Sequence, residues 1–92
     1  MNDDSIFPVR VLLFAVLRDA LKRDEIEVSI PLAGKGSTPF VNDLLTACAT
    51  QYPLLSPWLP HIRVAVNCEY AAPETPIFED DEIAFIPPVA GG

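Results

Sequence analysis

The sequence predicts an α+β domain: a mixed sheet of about five strands, one main helix packed across it, and a protruding C-terminal tail. Three observations carry that expectation. Two early stretches show the two-residue alternation of strands. A later stretch, bounded by prolines, repeats apolar residues at the i, i+4 spacing of a helix. The final residues, Phe85-Ile86-Pro87-Pro88-Val89-Ala90-Gly91-Gly92, begin as a strand and break at paired prolines. A chain of 92 residues, 50% of them hydrophobic, is the size of one domain with one core.

Residues 1–6 read as a solvated leader, residues 7–86 as the domain and residues 87–92 as an extended tail. Phe7 to Leu17 is the first strand expected. Val9, Val11, Leu13 and Ala15 share one face, and Arg10, Leu12, Phe14 and Val16 share the other. From Val11 onward both faces are apolar, the mark of a central strand covered on both sides. A domain this small cannot supply two layers of cover, so Leu12 and Phe14 are expected to be covered by another protein. Arg18 to Asp24 is a polar connection with room for one helical turn. In Glu25 to Leu32, Ile26, Val28 and Ile30 alternate with Glu25, Glu27 and Ser29, which predicts a half-buried antiparallel strand.

The loop from Pro31 to Ser37 contains Gly34-Lys35-Gly36-Ser37-Thr38, but the lysine precedes the second glycine and the upstream glycine is missing, so it does not make a phosphate-binding loop. It leads into the helix instead. Ser37 or Thr38 is the expected cap, with Pro39 in the first turn. Phe40, Leu44, Cys48 and Tyr52 form one apolar row, Val41 and Leu45 the next, and Pro53 stops the helix. Cys48 within that stripe reads as a buried thiol. Pro53 to His61 is irregular, with a short turn around Leu55 to Leu59 and Trp58 as a lid over one end of the core. Ile62 to Val66 is a strand, Asn67-Cys68-Glu69 a turn, Tyr70-Ala71-Ala72 a short return strand, Pro73 to Asp81 a loop and Glu82 to Ile86 the last strand. Strand, strand, helix, strand, short strand, strand is the β-grasp, or ubiquitin-like, order. It places the first and last strands side by side and parallel at the centre, with the tail on the most rigid part of the sheet.

The net charge of −7 and pI of about 4.3 disfavour binding to nucleic acid or to an anionic membrane, and point to a partner with a basic patch. No apolar stretch is long enough to span a bilayer, and Met1-Asn2-Asp3-Asp4 is acidic where a signal peptide would be basic, so the expected location is the cytoplasm. His61 is the only histidine, and Cys48 and Cys68 stand apart. They make no zinc or iron–sulfur pattern and no nucleophile–base pair with a recognisable signature, which excludes a plant-type ferredoxin on the same strand order. The carboxylate run Glu79-Asp80-Asp81-Glu82 reads as a solvated turn.

The remaining chemistry belongs to the Gly92 carboxylate. The six residues from Pro87 to Gly92, fully extended, reach roughly 20 Å, and Gly91 and Gly92 leave the backbone bare for a narrow passage. A carboxylate is a poor electrophile and needs activation. Transfer of AMP from ATP makes a mixed anhydride that sulfide or a thiol attacks, leaving a terminal thiocarboxylate.

Asp81-Glu82-Ile83-Ala84 followed by Phe85-Ile86-Pro87-Pro88-Val89-Ala90-Gly91-Gly92 closely resembles the C-terminus of the small subunits of molybdopterin synthases. Val11-Leu12-Leu13-Phe14-Ala15 resembles that family's first strand and Val64-Ala65-Val66-Asn67 the segment before its turn, so the likeness runs from about Val9 to Gly92. Where the family has Asp-Gly before the last strand, this chain has Asp80-Asp81. The resemblance implies that Gly92 is adenylated, then converted to a thiocarboxylate that gives its sulfur to a cyclic pyranopterin precursor of the molybdenum cofactor. Gly91 gives clearance for the tail. Leu12, Phe14, Phe85, Pro87, Pro88, Val89 and Ala90 meet partners. Those partners are a large catalytic subunit, joined in a heterotetramer with two small subunits, an adenylating enzyme that uses ATP and magnesium, and a sulfur donor. No cofactor or metal is expected on the chain itself, nor any catalytic activity of its own. Sulfur carriage for thiamine synthesis or tRNA thiolation is an alternative within the same class, although those relatives typically lack Pro-Pro-Val. A ubiquitin-like modifier of lysines and an interaction domain with an inert tail are alternatives from other classes.

Overall fold

In the computed structural model, which describes residues 6–34 and 36–88, five strands form one mixed sheet. They are β1 (Ile6–Leu13), β2 (Glu25–Pro31), β3 (Arg63–Val66), β4 (Glu69–Ala71) and β5 (Ile83–Ile86), in the order β2-β1-β5-β3-β4. β1 runs parallel to β5 and every other neighbouring pair is antiparallel. This is the β-grasp arrangement that the order of elements predicts.

The strand expected from Phe7 to Leu17 starts at Ile6 and ends at Leu13. A second helix, α1 (Ala15–Leu21), follows where the sequence had room for only one turn. Ala15 has φ 51°, which breaks the strand. Leu13, Leu17 and Leu21 lie four apart, so the alternation read into this stretch was the start of a helical period. Leu17 is buried completely, but from α1. Lys22 closes the helix in the left-handed region, φ 58°, with its N–H donating to the Arg18 carbonyl.

The main helix, α2 (Val41–Gln51), crosses one face of the sheet. Neither Ser37 nor Thr38 caps it. Phe40 is the N-cap and its N–H donates to Asp43 Oδ2 at 2.8 Å. The Val41 and Asn42 N–H groups donate to the Thr75 and Pro73 carbonyls at 2.9 Å each, so the loop after β4 satisfies donors that a helix start leaves open. Phe40 therefore sits outside the apolar row and stays 44% exposed. Val9, Val11, Leu13, Ile26, Val28, Ile30, Val64, Ile83 and Phe85 face α2, where Val41, Leu44, Ala47 and Cys48 are buried. Leu55, Leu59 and Ile77 close the ends of this core, and Trp58 packs half-buried against it. Short 3-10 turns at Pro53–Leu55 and Leu59–His61 replace the single turn expected in that stretch.

Two side chains at the end of α2 cover the outer edge of β2. Ser29 N–H donates to Gln51 Oε1 at 2.9 Å, and Gln51 Nε2 donates to the Ser29 carbonyl at 2.7 Å. The Tyr52 hydroxyl donates to the Glu27 carbonyl at 2.9 Å. The Gln51 amide thus takes the place of a neighbouring strand on an edge that would otherwise be free to pair. Gln51→Ala should lower unfolding stability by about 1–2 kcal/mol and Tyr52→Phe by about 1 kcal/mol. Urea titration should register both as a shift in midpoint at unchanged slope.

Candidate functional site

The site is built on β5, the central strand. Ile83 and Phe85 point into the core with no exposure, while Ala84 and Ile86 point to the other face and are half-buried. The ladder with β1 ends at Leu13↔Phe85 and that with β3 at Arg63↔Ile86. Pro87, half-buried, and Pro88, exposed, follow without strand structure, because β5 has a neighbour on both sides and residues lacking an N–H cannot extend both ladders. Val89, Ala90, Gly91 and Gly92 lie outside the described residues.

Among the described residues no helix covers the sheet face away from α2. Register places Glu25, Leu12, Ala84, Ala65 and Tyr70 in one row across all five strands. Leu12 and Tyr70 flank two alanines, which makes a shallow apolar trough. Toward the tail the next positions are Phe14, 45% exposed, Ile86 and Arg63. The Arg63 guanidinium lies over the Tyr70 ring, 4.9 Å from its centroid, which places a cation on the rim of the trough. Away from the tail the face turns acidic. A cavity of about 510 Å³ is lined by Arg10, Leu12, Phe78 and the carboxylates of Glu25, Glu27, Glu79, Asp80, Asp81 and Glu82. Arg10 approaches Glu25 at 3.8 Å, an exposed pair of little consequence for stability.

On the open face Leu12 lies in the middle row beside Ala84 and Phe14 at the end where β5 finishes, with Pro87 and Pro88 following β5. The structure corrects Phe85. That side chain is fully buried beneath α2 and cannot touch a partner, because strand alternation turns its neighbours Ala84 and Ile86 outward instead. Sequence reasoning passed over Ala65, Tyr70, Ala84 and Arg63. The alternation of β3 and β5 contained the first and third of these, but only the pairing register sets them beside Leu12.

Among the described residues no polar or charged side chain is buried, and no group of three or more His, Cys, Asp and Glu has the proximity to hold a metal ion. His61 is exposed. Cys48 is buried under α2, and burial pushes its thiol up to about 11 from 9.0. Cys68 is exposed in the β3–β4 turn. No described helix is long and apolar enough to cross a membrane. What the fold presents is an apolar face that ends at the base of the tail.

Residues 11–92 match the ThiS family. The chain is 38% identical over 85 residues to the molybdopterin synthase sulfur carrier subunit of Dictyostelium discoideum, covering 90% of this chain and 94% of that one. It is 36% identical over 87 residues to the molybdopterin synthase sulfur carrier subunit of Mycobacterium tuberculosis, covering 91% and 96%. It is also similar to the crystal structure of SAMP1 from Haloferax volcanii, with a TM-score of 0.73 and 30% identity over 94% of this chain and 100% of that one.

Phe14→Asp should leave circular dichroism and unfolding midpoint near those of the wild type, since the side chain is exposed and aspartate is a favourable N-cap for α1. Phe85→Asp should abolish cooperative unfolding, because it buries a charge with no partner. At pH 8 a thiol reagent should label Cys68 in the folded chain and reach Cys48 only on unfolding. The raised thiol pKa also sets a sign. The unfolded chain ionises first, so the stability that depends on neutral Cys48 is complete below about pH 9 and falls as pH rises toward 11.

Proposed function

The chain belongs to the ThiS family, and we propose that within it this protein is the sulfur-carrier subunit of a molybdopterin synthase. The observation that carries this reading is the joining of an uncovered apolar face to the base of the Pro-Pro-Val-Ala-Gly-Gly tail through a single central strand. Relatives that share most of this chain's length and bear that name support it.

In this mechanism the chain contributes position and a carboxylate, and its partners contribute catalysis. An adenylating enzyme supplies ATP and magnesium. An oxygen of the Gly92 carboxylate attacks the α-phosphorus, pyrophosphate leaves, and the acyl adenylate forms. A sulfide equivalent from the donor then attacks the acyl carbon, AMP leaves, and a thiocarboxylate remains. The domain docks through Leu12, Phe14, Ala84 and Ile86 on a large catalytic subunit, and the tail delivers sulfur to the pyranopterin precursor. The thiocarboxylate sulfur joins the precursor as a thioester, and water then cleaves the acyl–sulfur bond, which leaves the sulfur on the precursor and returns the carboxylate. Gly91 and Gly92 keep the passage clear of side chains. The acidic end of the sheet lies away from the tail, so its carboxylates do not oppose the developing negative charge at the terminus.

The likeness to SAMP1, a small archaeal modifier protein, favours one further reading, in which the same activated terminus is joined to lysines of other proteins. Isolation of the chain from cells in isopeptide linkage to lysines would support that reading over sulfur carriage.

Incubation with the adenylating enzyme, ATP, magnesium and sulfide should make the intact chain heavier by one sulfur less one oxygen, at Gly92. Deletion of Gly92 should remove the change, and Gly91→Val should suppress it, because a β-branched residue stiffens and fills the passage. A mass change that survives the deletion would place the chemistry away from the terminus and refute the carrier mechanism.

A further inference from the structure

We propose that Asn67 is a positioning residue, fixing where β5 begins and hence how far the tail reaches; its role in sulfur activation rests on the carrier reading, but the clamp itself does not. Asn67 sits in the two-residue turn between β3 and β4. Its φ of 53° and the 71° of Cys68 give the paired positive values that such a hairpin turn needs, and asparagine tolerates them better than most residues. From there it makes three bonds to the residues that lead into β5. Its backbone N–H donates to the Glu82 carbonyl at 2.8 Å. Its Nδ2 donates to Asp81 Oδ1 at 2.9 Å, and its Oδ1 accepts from the Glu82 N–H at 2.9 Å. Only one orientation of the amide serves both side-chain bonds, so the choice of Nδ2 and Oδ1 is forced. The second oxygen of Asp81 accepts from the Phe78 N–H at 2.8 Å and holds the preceding loop.

β5 needs such a stop. It is 4 residues long and pairs on both sides with other strands. Hydrophobic alternation resists a slip of one residue, which would turn Ile83 and Phe85 outward. A slip of two keeps the parity and moves the tail by about 7 Å, enough to miss an active site. Asn67 grips both the side chain of Asp81 and the main chain of Glu82, and so marks one position as the start. Pro87 marks the other end.

Asn67→Gly keeps the turn, since glycine accepts φ 53° without strain, and removes both side-chain bonds. Amide exchange at Ile83 to Ile86 should quicken by roughly tenfold for each bond lost, relative to unchanged amides in β2. Adenylation by the activating enzyme should lose roughly tenfold in kcat at a KM within twofold of wild type, as a misplaced terminus predicts. Asn67→Asp should do the same, because it sets a second carboxylate against Asp81. The exchange double variant Asn67→Asp with Asp81→Asn swaps the amide and the carboxylate. It rebuilds every bond, the amide at 81 donating to position 67 and accepting from Phe78, and should restore both protection and kcat. A merely destabilising site would not recover in this way. Wild-type exchange and kcat in Asn67→Gly would overturn the proposal, as would failure of the swap to restore protection in a chain that circular dichroism shows folded. If the wild-type chain accepts no adenylate at all, the carrier reading falls and the exchange comparison alone decides the clamp.

Discussion

The parallel pairing of β1 with β5 is the contact on which the rest of the domain depends. It joins the first strand to the last, at Val11↔Ile83, Leu12↔Ala84 and Leu13↔Phe85, with nearly the whole chain looped between them. Contacts this distant in sequence are reached late, because the entropy of closing the loop must be met before they give any return. Once made, they place β5 between β1 and β3, with Ile83 and Phe85 sealed beneath α2. The residues from Pro87 onward then leave from the centre of the sheet and not from a fraying edge. A segment that starts from a strand paired on both sides has a fixed origin.

The same arrangement leaves one sheet face without a helix over it among the described residues. A domain with a single helix layer buries one face well, and here all the large apolar side chains of β2 and β5 that face α2 are buried. Across the other face small residues, Ala84 and Ala65, occupy the middle, so the trough stays open while little apolar area meets water. The charge is segregated along the strand axis. Carboxylates gather where β5 begins, and apolar residues with Arg63 gather where it ends. The chain is strongly acidic overall, which favours solubility, while the carboxylates of this face lie away from its Phe14, Ile86 and Arg63 end.

Much of this was legible in the sequence, and the parts that were not share a cause. The alternation of Ile26, Val28 and Ile30 identified β2 and its buried face, and Pro53 marked the end of α2. The segment after Leu13 misled because four consecutive apolar residues, Phe14 to Leu17, satisfy a strand period and a helical period equally. Only the left-handed Ala15 decides between them, and alanine gives no notice of it. The cap of α2 was sought in Ser37 and Thr38, whereas the carbonyls of Pro73 and Thr75, some thirty residues away, receive the first N–H groups. The place of Phe85 in the terminal motif suggests partner contact, whereas the parity of the strand turns it inward. Local pattern thus carried faces and ends where a residue's partner lay nearby in sequence, and failed where the partner came from another part of the chain.

Asn67 is the strongest instance of that limit. In the sequence it is a turn residue, and nothing nearby names Asp81 or Glu82 as its partners. Pro87 needs no partner to act: in a strand paired on both sides, as β5 is, the missing N–H stops the ladder, whereas Pro8 is tolerated in β1 where only β2 is paired beside it. The two ends of β5 are therefore set by different physics, one by a covalent feature legible in the sequence, the other by hydrogen bonds that exist only when β3, β4 and the acidic loop have met. That asymmetry orders assembly. Proline limits the strand before folding begins, whereas the clamp can close only after β5 has found its place beside β3. The reach of the tail is then a property of the completed fold, so a chain with incomplete strand pairing presents its terminus at the wrong distance.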